Sequence, residues 1–157
     1  MKEVPGDPWV LHPEPEVIMR NLFFHIIVLL VICADCTYAE EPSRELMLAI
    51  DRNDMPRVQA LLADPSLINI ENGKGITPLI QATVKGNQAM VELLLSRGAD
   101  VNKPDRNGIT PLMWAASGGK ENMVKIFILR GASVNEKDTT DGRTVLQWAY
   151  MGKNKKI

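Results

Sequence analysis

Apolar and polar positions between residues 43 and 157 follow a pattern that returns at a constant period, so that residues 75–79 correspond to residues 108–112. Within each period, apolar residues recur at three- and four-residue spacing in two short stretches, which predicts two short amphipathic helices. Two helices this short cannot bury their apolar faces alone, so neighbouring copies are predicted to stack. In the copy that spans residues 107–136, the two stretches contain Leu112, Ala115 and Ala116, and then Met123, Val124, Phe127 and Ile128.

Residues that start and stop helices flank both stretches. Thr110 is placed to cap the first helix, and Pro111 fits its first turn. The pair Gly118 and Gly119 interrupts the helical pattern, and Gly131 stands where the second helix is expected to end. The polar stretch after Gly131 is rich in turn-forming residues, which predicts a projecting loop before the next copy.

The sequence GITPL marks the same point in two consecutive copies, at residues 75–79 and 108–112. An upstream copy occupies residues 43–74, with Asn53 in place of the glycine between the helices. Asparagine tolerates left-handed backbone geometry, so this change is mild. A partial copy at residues 142–157 opens one residue late and contains one helical stretch, so either the chain ends on a half-repeat or the reading frame is truncated. We therefore expect the second helix of the preceding copy to be partly uncovered and the C-terminus to fray.

The pattern G-x-T-P-L-x-x-A, followed by a glycine and then by V-x-x-L-L-x-x-G-A-x-V-N, resembles the ankyrin repeat. The resemblance implies an all-α fold, an ankyrin-repeat α-solenoid of stacked helix-turn-helix units with β-hairpin fingers. Ankyrin repeats commonly have histidine in a TPLH motif, where this chain has Ile80, Met113 and Gln147. We therefore expect the hydrogen bonds of that histidine to be missing. The resemblance divides residues 40–157 into repeats at about 43–74, 75–107 and 108–141 and a partial repeat at 142–157.

The family usually binds other proteins through its finger tips and the concave face of its inner helices, and it has no intrinsic catalysis. The alternative for each finger-tip charge is that it only keeps its loop solvated, because few interface residues contribute much binding energy. Trp114 and Trp148 stand at equivalent positions in adjacent copies. They either form an aromatic strip that contacts a partner or pack between repeats as part of the core. By position, the candidate partner-binding residues are Lys74, Val84, Lys85, Asp105, Arg106, Asn107, Trp114, Ser117, Thr139, Thr140, Arg143, Trp148 and Met151.

The chain before residue 40 differs in composition from the repeats. Residues 1–18 contain four prolines and scattered charges, which favours a disordered extension. Residues 19–39 have a short basic start, an apolar run and a small residue before two acidic residues, which predicts a secretory signal peptide cleaved after Ala39. Met19 also offers an alternative start that would give a signal peptide of ordinary length. The apolar run is shorter than the roughly 20 residues of a spanning helix; a retained membrane anchor is the alternative.

Composition and motifs exclude several classes of function. Cys33 and Cys36 form a C-x-x-C inside the predicted signal segment, without a second ligand pair or the surroundings of a redox site. The net charge of −1 does not favour nucleic acid as a partner. The stretch 138–141 lacks the ligand spacing of a calcium loop and is interpreted as a longer finger tip. No catalytic motif is present, so we expect no enzyme activity, no cofactor and no metal.

Together these observations predict a small exported protein, bacterial and periplasmic or secreted, that binds another protein as a monomer. Similarity to small bacterial periplasmic ankyrin proteins implies an accessory role in envelope stress tolerance. A membrane-tethered scaffold with an uncleaved N-terminal segment is one alternative, and membrane contact is expected only in that case. A secreted effector or toxin-neutralising protein is another. The sequence does not name the partner, because specificity lies in surface residues on a common scaffold.

Overall fold

Residues 42–154 fold as an all-α solenoid of short helices that follow one another in pairs. The computed structural model describes residues 42–154. None of the helices in this part of the chain is long and apolar enough to cross a membrane. The predicted extension and signal peptide lie outside the described residues. The helices are α1 (42–51), α2 (Met55–Leu61), α3 (Pro78–Lys85), α4 (Gln88–Ser96), α5 (Pro111–Ser117), α6 (Glu121–Leu129) and α7 (Val145–Asn154), with a short 3-10 turn at Pro65–Leu67.

The inner helices α3 and α5 begin at the two copies of GITPL. The Thr77 hydroxyl accepts a hydrogen bond from the backbone N–H of Ile80 (3.2 Å), and the Thr110 hydroxyl accepts one from Met113 (3.3 Å). A proline in the first turn of each helix supplies a suitable φ and lacks the N–H that would otherwise be unsatisfied there. The predicted starts of both inner helices are confirmed.

The turns between inner and outer helices are short and well capped. Asn53 has φ = 57° and is the one non-glycine residue with a positive φ in the described chain, which confirms its predicted left-handed geometry. At the start of α2, the Asp54 carboxylate accepts a bond from Arg57 N (3.1 Å). At the start of α4, the Asn87 side chain accepts the equivalent bond from Met90 N (3.1 Å). These caps satisfy orphan donors at both helix starts.

Equivalent side chains of successive units form one continuous core. Ala82 and Ala115 are fully buried, and their small size lets α3 and α5 pack closely. Ile80 and Met113 are also fully buried, so apolar packing occupies two of the positions where ankyrin repeats commonly have histidine. The largest other core residues are Leu46, Val58, Leu79, Met90, Val91, Leu94, Leu112 and Phe127.

Asparagines that follow the outer helices connect each unit to the next. The Asn69 side chain accepts a hydrogen bond from Asp100 N (2.9 Å). The Asn102 side chain accepts the equivalent bond from Ser133 N (2.8 Å). The two bonds have the same separation along the chain, so the same contact repeats from one interface to the next.

The loops between units are tight turns. One antiparallel bridge, between Lys137 and Thr144, is the only strand-like pairing in residues 42–154. The β-hairpin fingers implied by the resemblance are therefore short in this chain. Their geometry depends on side-chain contacts more than on a ladder of backbone bonds.

The last unit consists, within the described residues, of α7 packed on α5. A Cβ added to Gly152 would lie 2.6 Å from the carbonyl carbon of Ser117 and 2.8 Å from its Cα, so glycine is required for this close approach. Only Met123 and Phe127 are buried on α6, whereas Leu129 is exposed over most of its surface. The predicted partial exposure of this outer helix is confirmed.

Candidate functional site

Each finger is organised by one side-chain oxygen at an equivalent position. Asn72, Asp105 and Asp138 occupy these positions, one in each successive repeat. The Asp105 carboxylate accepts bonds from Asn107 N (2.8 Å) and Ile109 N (3.0 Å), and the Asn72 amide oxygen accepts the corresponding pair in the first finger. The side chain thus holds the turn closed from inside the loop.

The two aspartates also bind the tryptophans of the following inner helices. Trp114 Nε1 donates to the second carboxylate oxygen of Asp105 (3.3 Å), and Trp148 Nε1 donates to that of Asp138 (2.8 Å). Gln81 stands at the tryptophan position of α3 and donates instead to Asp51 (2.5 Å). Two neighbouring fingers are therefore fixed to their helices by an acid–indole bond, which sequence reasoning did not identify.

Both tryptophans are half-buried. Part of each side chain packs within the protein, and part is accessible to a partner, so each of the two predicted roles describes part of the ring. The indole N–H of Trp114 points to the finger, while the side chain keeps a solvent-accessible fraction. The same holds for Trp148. A hydrogen-bonded indole loses little conformational freedom when a partner contacts its exposed part, which favours binding.

Successive fingers contact each other through their backbones. Arg106 N donates to the carbonyl of Lys74 (3.3 Å), and Thr139 N donates to that of Asn107 (2.9 Å). The glycine of each GITPL makes this approach possible. A Cβ at Gly75 would lie 2.7 Å from Arg106 N, and one at Gly108 would lie 2.7 Å from Thr139 N. The fingers therefore form a stacked row rather than independent loops.

Most of the candidate residues are accessible, with one correction. Asp105 is buried, because its carboxylate is used by its own finger and by Trp114. The prediction that Asp105 contacts a partner is wrong in its assumption of exposure, since sequence spacing does not reveal that the side chain turns inward. The exposed candidates are Lys74, Val84, Lys85, Arg106, Asn107, Thr139 and Thr140, and the half-buried ones are Trp114, Ser117, Arg143, Trp148 and Met151.

Several charges near this surface are paired within the chain. Lys85 Nζ lies 3.0 Å from the Asp51 carboxylate, and this contact with Lys85, followed by that with Gln81, lowers the pKa of Asp51. Arg143 lies 2.5 Å from Asp141. Because these side chains are substantially exposed, each pair contributes only about 0–1 kcal/mol to stability.

Asp138 is the most strongly perturbed titratable group of the described residues. Its carboxylate accepts bonds from Asp141 N (2.8 Å) and Thr140 N (3.2 Å) in addition to the Trp148 indole. The backbone N–H of Asp141, followed by the indole and the bonds from Thr140, holds the pKa of Asp138 well below its usual value. The stretch 138–141 is thus a finger held by its own acid, in agreement with its interpretation as a longer tip.

Lys120 is a structural contact that the sequence did not reveal. Its Nζ donates to the carbonyls of Thr83 and Val84 at the C-terminal end of α3, at 2.7 Å for Val84. A lysine at a helix C-terminus satisfies orphan carbonyls and complements the helix dipole. Burial lowers the pKa of Lys120. This side chain links the second and third units.

The candidate residues on the described surface offer groups for contact with a partner. Residues 42–154 contain no group of three or more acidic, histidine or cysteine residues placed to hold a metal ion. The candidates instead provide aromatic edges, exposed methylenes, hydroxyls and charges along a row of fingers. Such a set fits the recognition of another macromolecular surface.

Comparison with protein-family models agrees with this architecture. A model described as "Ankyrin repeats (3 copies)" matches residues 25–105, 46–138 and 100–157. A search of curated proteins finds no match to the chain. Ankyrin repeats are generally non-catalytic protein–protein interaction modules, and stacking their units creates an extended concave surface. The matches and the repeated helix pairs together show that the chain belongs to the ankyrin-repeat family.

Proposed function

We propose that this chain is a non-catalytic binding protein that recognises one protein partner across its second and third fingers and the adjoining concave face. The observation that carries the proposal is the acid–indole bond in these two fingers. It places Trp114 and Trp148 at fixed positions beside exposed tips that differ in sequence between units. Preorganised aromatic side chains beside adaptable polar ones are a favourable combination for binding.

The variation among the tips supports the same assignment. The residues that hold the fingers recur in register, namely the aspartates Asp105 and Asp138 and the glycines Gly75 and Gly108. Arg106 and Thr139 occupy equivalent tip positions but differ in chemistry. The side chains of these two residues are free to differ because the bond that each contributes to the finger row comes from its backbone N–H. Specificity is therefore assigned to the tips.

The test compares charge changes on two faces. A partner recovered by cross-linking in the producing cell is identified and purified, and its binding is measured with Arg106→Glu, Thr139→Lys and the control Glu92→Lys on outer helix α4. Glu92 is exposed and bonds only with Gln88 among described residues. The finger variants should weaken binding roughly tenfold or more, as expected for interface centres. Equal affinity for all three variants would refute the assignment of the surface.

We further propose that the protein acts after export, with cleavage near Ala39 and an accessory role in envelope stress tolerance. The support for export is the order of basic, apolar and small residues in 19–39. The stress role rests on the resemblance to small periplasmic ankyrin proteins alone. Intact mass and cell fractionation of the native protein test this step. A mass for residues 40–157 in the soluble envelope fraction is expected. A membrane-bound form that retains residues 22–32 would instead identify a tethered scaffold, and binding to a co-secreted toxin or a host protein would identify an effector.

A further inference from the structure

The first finger differs from the next two in the side chain that closes it. Asp105 and Asp138 close the second and third fingers with carboxylates, whereas Asn72 closes the first with a neutral amide. The arrangement is otherwise alike, because the Asn72 side-chain oxygen accepts bonds from Lys74 N (2.9 Å) and Ile76 N (3.0 Å). A carboxylate at position 72 would therefore meet the same pair of backbone donors that the second finger offers to its acid.

Asn72 is followed by a glycine, and in this dipeptide asparagine loses its amide group most readily. Deamidation begins when the backbone nitrogen of the following residue attacks the side-chain carbonyl carbon, and glycine has no Cβ to obstruct that approach. Gly73 is exposed, and a Cβ there would have no neighbour within 4 Å. No residue of 42–154 accepts a hydrogen bond from its N–H. The attacking nitrogen and the space around it are thus both available in the folded finger.

The bonds that close the finger also favour this reaction. As the new bond forms, negative charge develops on the side-chain oxygen of Asn72, which already faces two backbone N–H groups. Donors that are in place before a reaction stabilise such a charge, as they do in an oxyanion hole. The first finger therefore combines an unobstructed nucleophile with donors for the oxygen of the group that it attacks.

We propose that Asn72 is a site of spontaneous deamidation, which converts the first finger into an aspartate finger like the second and third. The Gly73 nitrogen gives its proton to the departing amide and bonds to Cγ of Asn72, while the carboxamide C–N bond breaks and ammonia leaves. Water then opens the cyclic imide. Its attack at Cγ breaks the new bond and gives aspartate, whereas attack at the backbone carbonyl carbon breaks the original peptide bond and gives isoaspartate.

The aspartate product carries a charge that no indole receives. In the second finger, one carboxylate oxygen accepts a bond from Trp114. Helix α3 has Gln81 at the equivalent place, and this side chain donates to Asp51. Position 72 is exposed, so the new negative charge would lie at the surface of the first finger. Deamidation thus changes the charge of a finger tip while the bonds that close the finger are kept.

The same dipeptide occurs once more in the finger row, at Asn107 and Gly108, and provides an internal comparison. There the attacking nitrogen is occupied, because Gly108 N donates to the carbonyl of Asp105 (2.9 Å). The backbone carbonyl of Asn107 in turn accepts a bond from Thr139 N (2.9 Å). Ring closure at Asn107 has to disrupt these bonds, so we expect it to be slower in the folded chain than ring closure at Asn72.

The experiment incubates the purified full chain in mildly alkaline buffer and follows both sites by peptide mapping with mass spectrometry. Trypsin separates the two asparagines, because cleavage after Lys74 and Arg106 places them in different peptides. In the folded protein, Asn72 should deamidate roughly tenfold faster than Asn107, since closure at Asn107 breaks hydrogen bonds of the finger row. In concentrated urea, where the fingers are lost, the two rates should converge.

Two variants of the first finger complete the test. Gly73→Ala adds a Cβ to the attacking residue, but this atom meets no neighbour and the position has no positive φ. The variant should keep the wild-type melting temperature and slow the deamidation of Asn72 several-fold. Asn72→Asp supplies the aspartate product directly. It should also keep the wild-type melting temperature, because a carboxylate accepts the same backbone bonds, and it should co-elute with the aspartate form on anion exchange.

Four results would overturn the inference. An Asn72 that stays intact during the incubation would remove the site, and a rate at Asn107 equal to or faster than that at Asn72 would remove the role of the finger. An unchanged rate in Gly73→Ala would exclude the Gly73 nitrogen as the nucleophile. A marked loss of stability in Asn72→Asp would show that the first finger does not accept an acid. None of these results concerns partner binding, so the proposed function stands or fails separately.

Discussion

Stacking of the fingers gives a prediction that can be worked from the structure. Gly108 has φ = +74°, and a Cβ added there would lie 2.7 Å from Thr139 N and 2.8 Å from Thr139 Cγ2. Gly142 is the equivalent residue of the next finger, with φ = +66°, but a Cβ there would have no neighbour within 4 Å. The pair Gly108→Ala and Gly142→Ala therefore separates the cost of the backbone conformation from the cost of the finger contact.

The expected magnitudes differ for a simple reason. An alanine in the left-handed region costs about 1–2 kcal/mol, and both variants have this cost. Gly108→Ala also forces backbone atoms apart, which costs about 1–3 kcal/mol. It further weakens the 2.9 Å bond from Thr139 N to Asn107 O, and such a bond contributes about 0.5–1.5 kcal/mol. We therefore expect a loss of unfolding free energy of about 1–2 kcal/mol for Gly142→Ala and about 3–6 kcal/mol for Gly108→Ala.

The assay is urea unfolding followed by far-UV circular dichroism, with tryptophan fluorescence as a second probe. Agreement of the two transitions shows that the units unfold together and that a single free energy describes them. Gly75→Ala should resemble Gly108→Ala, since its Cβ would meet Arg106 N at the same distance of 2.7 Å. If Gly108→Ala and Gly142→Ala lower stability equally, the finger contact contributes nothing and the explanation for the repeated glycine is wrong.

Three further predictions concern the links between units. Gly152→Ala should destabilise the protein by about 1–2 kcal/mol although alanine has the better helix propensity, because the new methyl group would collide with the backbone of Ser117. Thermal denaturation measures the loss, and a rise in melting temperature would contradict the prediction. Lys120→Met keeps the aliphatic stem but removes the hydrogen bonds to the α3 carbonyls. Urea unfolding should therefore show a loss of about 1 kcal/mol in the free energy of unfolding, after allowance for partial exposure of the side chain. An unchanged midpoint would show that water replaces the ammonium group at no cost. The folded-state pKa of Asp138 lies below its unfolded value of 3.8, so its contribution to stability is present above about pH 4 and is lost as the pH falls through the folded-state pKa. Stability measured against pH should therefore fall less steeply on the acid side for Asp138→Asn, and an unchanged slope would refute the role of the charge.

The helices were predictable because their signals are local. Threonine, proline and glycine at fixed offsets specify the starts and turns, and the constant period of the repeats aligns the units without any knowledge of contacts. Even the atypical Asn53 could be interpreted, since the left-handed preference is a property of the residue itself. The partial exposure of α6 was also predicted from the sequence.

The candidate surface was less predictable, because burial within a loop depends on contacts across the turn. Asp105 looks like any other finger-tip charge in the sequence, yet its carboxylate turns inward to meet Trp114. The available signal was the recurrence of Asn or Asp at every finger, combined with tryptophan at a constant place in the next helix of two units. Lys120 gave no such signal, since its partners are backbone carbonyls of α3 and carry no side-chain signature.

The third finger contains one residue more than the second, yet its aspartate still reaches the tryptophan of the next helix. The backbone bond that closes the turn joins Asp105 to Ile109 in the second finger and Asp138 to Arg143 in the third. The extra residue is therefore accommodated between the acid and the start of the next helix, and the helices behind it keep their packing. The length of a finger tip can consequently change without a change in helix packing. An insertion at the tip lengthens the finger and leaves the helical register as it is, so a new recognition surface can arise while the stack stays intact.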